Sequence, residues 1–80
     1  MAKLISVERT GFRYAGRSRW VGYNQFRAVF EGEPGAGDIG AAQVQAGYDP
    51  RGYGGAWNVA TTPNGDGTYT TTFEVSNNSD

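Results

Sequence analysis

The 80-residue chain contains no cysteine and no histidine. Without cysteine it has no disulfide framework, no thiolate zinc site and no thiol nucleophile. Without histidine it lacks the usual general base near pH 7 and the commonest metal ligand. The serine and threonine hydroxyls have no histidine to activate them, and the single lysine, Lys3, lies at the start of the chain. No apolar run approaches the ~18 residues of a membrane span, and residues 1–7 turn polar too soon for a signal peptide. Asn77-Asn78-Ser79 matches a glycosylation sequon, but with no export signal it reads as part of a polar tail. These absences predict a soluble, cytoplasmic, non-enzymatic protein with no cofactor, no metal and no membrane association.

What the chain does have is an uneven distribution of charge. Residues 1–30 carry Lys3, Arg9, Arg13, Arg17, Arg19 and Arg27 against Glu8 alone, a balance of +5. Residues 31–80 carry Arg51 against Glu31, Glu33, Asp38, Asp49, Asp66, Glu74 and Asp80, a balance of −6. The net charge of −1 therefore describes a dipolar molecule. The basic half is interleaved with Phe12, Tyr14, Trp20, Tyr23 and Phe26. Arginines and large aromatics are enriched where proteins grip other macromolecules, and the same pairing holds single-stranded nucleic acid.

Eighty residues make one domain, 1–80, with 76–80 expected as a frayed tail. At this size about 60% of the unfolded surface is buried, and the aromatic content of 14% suffices for a core. Association into homo-oligomers, a common supplement in small domains, stays open.

The pattern predicts an α+β fold: a small antiparallel sheet of about four strands with one short helix near 38–47. Residues 3–9 read as a first strand and 10–18 as a turn or twisted strand end. Residues 19–31 give the longest strand signal. Period-two alternation sets Trp20, Phe26, Ala28 and Phe30 toward a core, with Tyr23, Gln25 and Arg27 opposite. Asp38 would cap the helix, Gly47 would take its left-handed end and Pro50 would block continuation. The same stretch also alternates as a strand would, which gives an all-β barrel or sandwich as the alternative. Residues 51–55 read as irregular. Trp57–Thr62 and Thr68–Val75 flank Asn-Gly and Asp-Gly turn chemistry and form a hairpin, with Trp57, Tyr69, Phe73 and Val75 apolar and the threonines at 68, 70, 71 and 72 on the strand surface. Asn64-Gly-Asp-Gly-Thr-Tyr-Thr70 resembles hairpins of filamin-type and other immunoglobulin-like repeats, a likeness of turn chemistry over seven residues that implies no family.

No motif completes a catalytic constellation. Gly32-Glu-Pro-Gly-Ala-Gly37 lacks the Gly-Lys-Ser/Thr ending of a phosphate loop. Arg51-Gly-Tyr-Gly54 resembles one copy of the arginine–glycine–aromatic tails of RNA-binding proteins. Glu31 and Glu33 stand two apart, where Pro34 marks the end of an edge strand. Asn64, Asp66 and Thr68 offer oxygens at alternate positions but lack the glutamate that closes an EF-hand loop. The arginine/aromatic stretch is the strongest remaining signal, and Arg13, Tyr14, Arg17, Arg19, Tyr23 and Arg27 are the expected contact residues. They predict a binding module acting stoichiometrically on a larger protein, or on a nucleoprotein complex. In size and in lacking catalytic residues the chain resembles the small domains with which phages and mobile elements inhibit host defences or host enzymes. The alternative is a nucleic-acid-binding module. The acidic pI of about 5.2 weighs against it, although counterion release depends on local charge.

Overall fold

The computed structural model describes residues 2–14 and 22–76. Four strands, β1 (Lys3–Tyr14), β2 (Gly22–Glu31), β3 (Trp57–Pro63) and β4 (Thr68–Ser76), form one antiparallel sheet in the order β1-β2-β4-β3. Helices α1 (Ala36–Gln45) and α2 (Pro50–Tyr53) join the two hairpins. The α+β architecture expected from the pattern is the one observed, and the segment that could alternate as a strand is α1.

The core forms where the alternation of β2 meets that of β4. Phe26 pairs with Phe73, Ala28 with Thr71 and Asn24 with Val75, so one face of both central strands turns inward together. Phe26, Ala28, Phe30, Phe73 and Val75 are buried there with Ala42 of α1. Leu4, Val7, Ile39, Ala46, Tyr48 and Tyr53 pack around them. The Phe26 and Phe73 rings stack with centroids 5.6 Å apart. Offset aromatic pairs of this kind add about 0.5–1.5 kcal/mol beyond area burial. Thr71 lies on this face too. Its hydroxyl is buried and hydrogen-bonds that of Thr61 at 2.9 Å, which corrects its assignment to the strand surface.

Helix α1 begins two residues earlier than the pattern suggested. Gly35 is the N-cap, and Asp38 sits three positions later, accepting the Gly35 N–H at 2.9 Å and the Ala2 N–H at 3.2 Å. Those two donors hold the Asp38 carboxyl below its ordinary range. The other end follows the expected chemistry. Gly47 adopts φ +95°, its N–H bonds to Val44 and the Tyr48 N–H reaches back to Gln43, the paired bonds of a Schellman motif. Pro50 starts a helix as well as ending one. Asp49 caps α2 by accepting the Arg51 N–H at 3.0 Å, and Pro50 takes the first helical position, where a missing N–H costs nothing. Residues 51–53 are therefore helical, where an irregular segment was expected.

Two further expectations are corrected. β2 is a central strand between β1 and β4, so Glu31 does not end an edge strand. Strand β1 continues through Tyr14, with register shifts between Leu4 and Ser6 and between Arg9 and Gly11. The expected turn or twisted end at 10–18 is thus strand up to residue 14, and 15–18 lie outside the described residues, as does the expected core residue Trp20.

Candidate functional site

The helices cover one face of the sheet, and the other face is open. Cα pairing assigns to it Tyr23, Gln25, Arg27, Val29 and Glu31 of β2. From β4 it receives Thr70, Thr72 and Glu74, from β1 Glu8 and Arg13, and from β3 Trp57. This is the polar face the alternation predicted, but its centre is not a solvated surface. Glu74 retains only 7% of its accessible surface and takes hydrogen bonds from four donors. Arg13 approaches in a fork, Nε to Oε2 and Nη2 to Oε1, both 2.9 Å. Gln25 Nε2 donates to Oε2 at 2.9 Å and Asn58 Nδ2 to Oε1 at 2.6 Å. The Arg13 fork, outweighing partial burial and aided by the two amides, lowers the Glu74 carboxyl to about 2. A bidentate arginine–carboxylate pair fixes direction as well as charge. Arg13 also lies 4.7 Å above the Tyr23 ring centroid.

Local backbone geometry delivers these groups. Asn58 has φ +51°, the only left-handed non-glycine among the described residues, where the register of β3 shifts between Trp57 and Ala60. Asparagine tolerates this conformation better than most residues, and here its amide reaches Glu74. The shift leaves Trp57 opposite Glu74 on the open face, 56% exposed, its ring 6.1 Å from that of Tyr23. Trp57 was expected in the core. It lies on the outer strand, with no helix over its face, and so cannot be buried there. A shallow hollow of about 440 Å³ lies between Thr10, Gln25, Asn58 and Thr72.

The expected contact residues separate. Arg13 and Tyr23 meet at the network, and Arg27 lies beside them on the same face, donating twice to Glu8 Oε1 at 2.9 and 2.6 Å. Tyr14 pairs with Gly22 on the opposite face, 64% exposed, with its ring edge-on to Phe12 at 4.9 Å. It is therefore not part of one face with Arg13. Arg17 and Arg19 lie outside the described residues. Gln25, Trp57, Asn58 and Glu74 were not anticipated as site residues. A lone acid between apolar positions in β4, matched by arginines far away in the chain, was the only available hint of Glu74.

Among the described residues, charge on this face is balanced. The sheet register gives it Lys3, Arg13 and Arg27 against Glu8, Glu31 and Glu74. Chemically, a carboxylate saturated by four donors and held ionised is a poor proton acceptor. The network instead fixes Arg13 over the Tyr23 ring, with the Trp57 ring 6.1 Å from Tyr23. Among the described residues no group of three acidic side chains is placed to hold a metal ion, and no helix is long and apolar enough to cross a membrane. Comparison with known protein families, with curated proteins and with solved structures gave no match to this chain.

Proposed function

We propose that this chain is a non-enzymatic binding module that docks a larger protein on its open sheet face, with Tyr23 and Trp57 as anchors. The observation that carries the reading is the pair of rings standing beside a saturated polar network on a face whose described residues carry no net charge. Tryptophan, tyrosine and arginine dominate interface energetics when they sit centrally on a rigid surface. A platform ordered before binding avoids part of the ordering cost of association. The internal pairing of Arg13 with Glu74 and of Arg27 with Glu8 favours a protein over a nucleic acid, because phosphates would have to displace carboxylates already in place.

Occupancy is the only means of action such a face has. A stoichiometric inhibitor in the cytoplasm, of the kind phages and mobile elements direct at host enzymes and defences, is the role that suits it. Capture of partners from the native host by the immobilised chain, with and without nuclease, tests the reading. A discrete protein should be retained after nuclease treatment. Trp57→Ala should weaken its retention by about 30-fold, equivalent to about 2 kcal/mol, while stability stays within about 0.5 kcal/mol. Retention that disappears with nuclease, or that Trp57→Ala leaves unchanged, would overturn the proposal.

A further inference from the structure

Strand β3 is an edge of the sheet, and all seven of its residues are exposed. An edge strand presents unpaired backbone groups and is ordinarily guarded by charge, bulges or proline. The other edge, β1, is guarded heavily, by Lys3, Glu8, Arg9 and Arg13 and by two register shifts. β3 carries no charge at all. Residues 52–65 contain no acidic or basic side chain, and Val59 stands 44% exposed.

The ladder shows which groups are free to pair. The Asn64 N–H bonds to the Thr68 carbonyl at 3.0 Å. By the alternation of an antiparallel ladder, Thr62 and Ala60 then also face β4, in register with Thr70 and Thr72. Thr61 therefore points both its N–H and its C=O away from the sheet. Pro63 points outward as well, where its missing N–H is tolerated. Beside Val59, on the helix side, lies an apolar groove of about 330 Å³ walled by Ala36, Ile39, Gly40 and Ala56.

We propose that a second copy of this chain pairs along β3, antiparallel and two-fold symmetric about Thr61, joining two four-stranded sheets into one. In that register Thr61 of each copy exchanges both backbone hydrogen bonds with Thr61 of the other. Pro63 of each copy falls opposite Val59, at the mouth of the apolar groove. A self-complementary isologous contact suits a strand without charge, since identical side chains meet near the axis with no like-charge repulsion. A charged partner segment would find no complementary group on β3. The contact uses the rim of the sheet and is independent of the open-face reading.

Sedimentation equilibrium from about 10 µM to about 1 mM, a range over which mass action shifts a weak dimer, tests the proposal together with amide hydrogen exchange. The mass should rise from 8.6 kDa toward twice that value. The Thr61 amide should exchange freely in the dilute protein and become protected in the concentrated one, while Ala60 and Thr62 stay protected throughout. Val59→Lys places a charge at the contact in each copy and should weaken association by about tenfold or more. Thr61→Pro, which removes the outward donor, serves as a second variant. A mass of 8.6 kDa throughout, a Thr61 amide equally exposed at both concentrations, or unchanged association of Val59→Lys would overturn the proposal.

Discussion

Replacing Glu74 by glutamine tests whether the network on the open face holds the sheet together. The substitution keeps shape and removes charge. The carboxyl is lowered from 4.5 to about 2, which at full strength corresponds to about 3 kcal/mol. The Arg13 side chain is 45% exposed, and solvent screening reduces that contribution to about 1–2 kcal/mol. Glutamine also offers one acceptor oxygen where two served four donors. The Asn58 and Gln25 amides can turn to accept, whereas a guanidinium cannot, so one Arg13 donor turns to water. The expected destabilisation near neutrality is about 1–2 kcal/mol, a fall in Tm of about 5–15 °C for a domain of this size. The sign with pH follows from a carboxyl lower in the folded than in the unfolded chain. Its contribution is complete above about pH 4.5 and is lost as pH falls toward about 2. Thermal melts of both proteins between neutrality and pH 2 should therefore show a gap that closes on acidification. Equal melting temperatures at neutral pH, or a gap that persists undiminished at pH 2, would refute the reasoning.

Two further substitutions probe the sheet. Gly22 lies beneath the Phe12 ring, and a Cβ there would stand 2.6 Å from the Arg13 carbonyl oxygen as well as against the ring itself, so Gly22→Ala should cost about 1–3 kcal/mol in urea unfolding. Arg27→Ala removes an exposed pair with Glu8 and should change stability by less than about 1 kcal/mol in the same assay; a larger loss would mean that this pair, too, supports the sheet.

The elements whose burial follows local alternation were legible in the sequence. Phe26, Ala28, Phe30, Phe73 and Val75 repeat every second residue between clear turn signals, and all are buried. What escaped depends on long-range placement. Trp57 has the composition of a core residue, but whether its strand ends up at the edge is decided by the order of pairing. The left-handed Asn58 then fixes which face it joins. Thr71 reads as one of several surface threonines, and only its register with Ala28 and Thr61 places it inside. Glu74 is matched by Arg13 from 61 residues away, and no local spacing encodes that meeting. Asp38 carries the composition of an N-cap, yet it stands three positions after a glycine cap and accepts the N–H groups of Gly35 and Ala2.

The order β1-β2-β4-β3 has a kinetic consequence. The two hairpins are neighbours in sequence, but they meet only along the β2–β4 seam, whose nearest partners, Glu31 and Thr68, are 37 positions apart. Closing that span costs about 2 kcal/mol more entropy than closing the short turn between β3 and β4, at about 0.6 kcal/mol per doubling of length. An isolated hairpin is marginal in water, and here the buried aromatic stack of Phe26 on Phe73 lies on the seam itself. Most of the apolar burial waits for the seam, which predicts all-or-none unfolding in denaturant with zipping of β2 against β4 as the rate-setting step. A populated hairpin intermediate in refolding kinetics would contradict it.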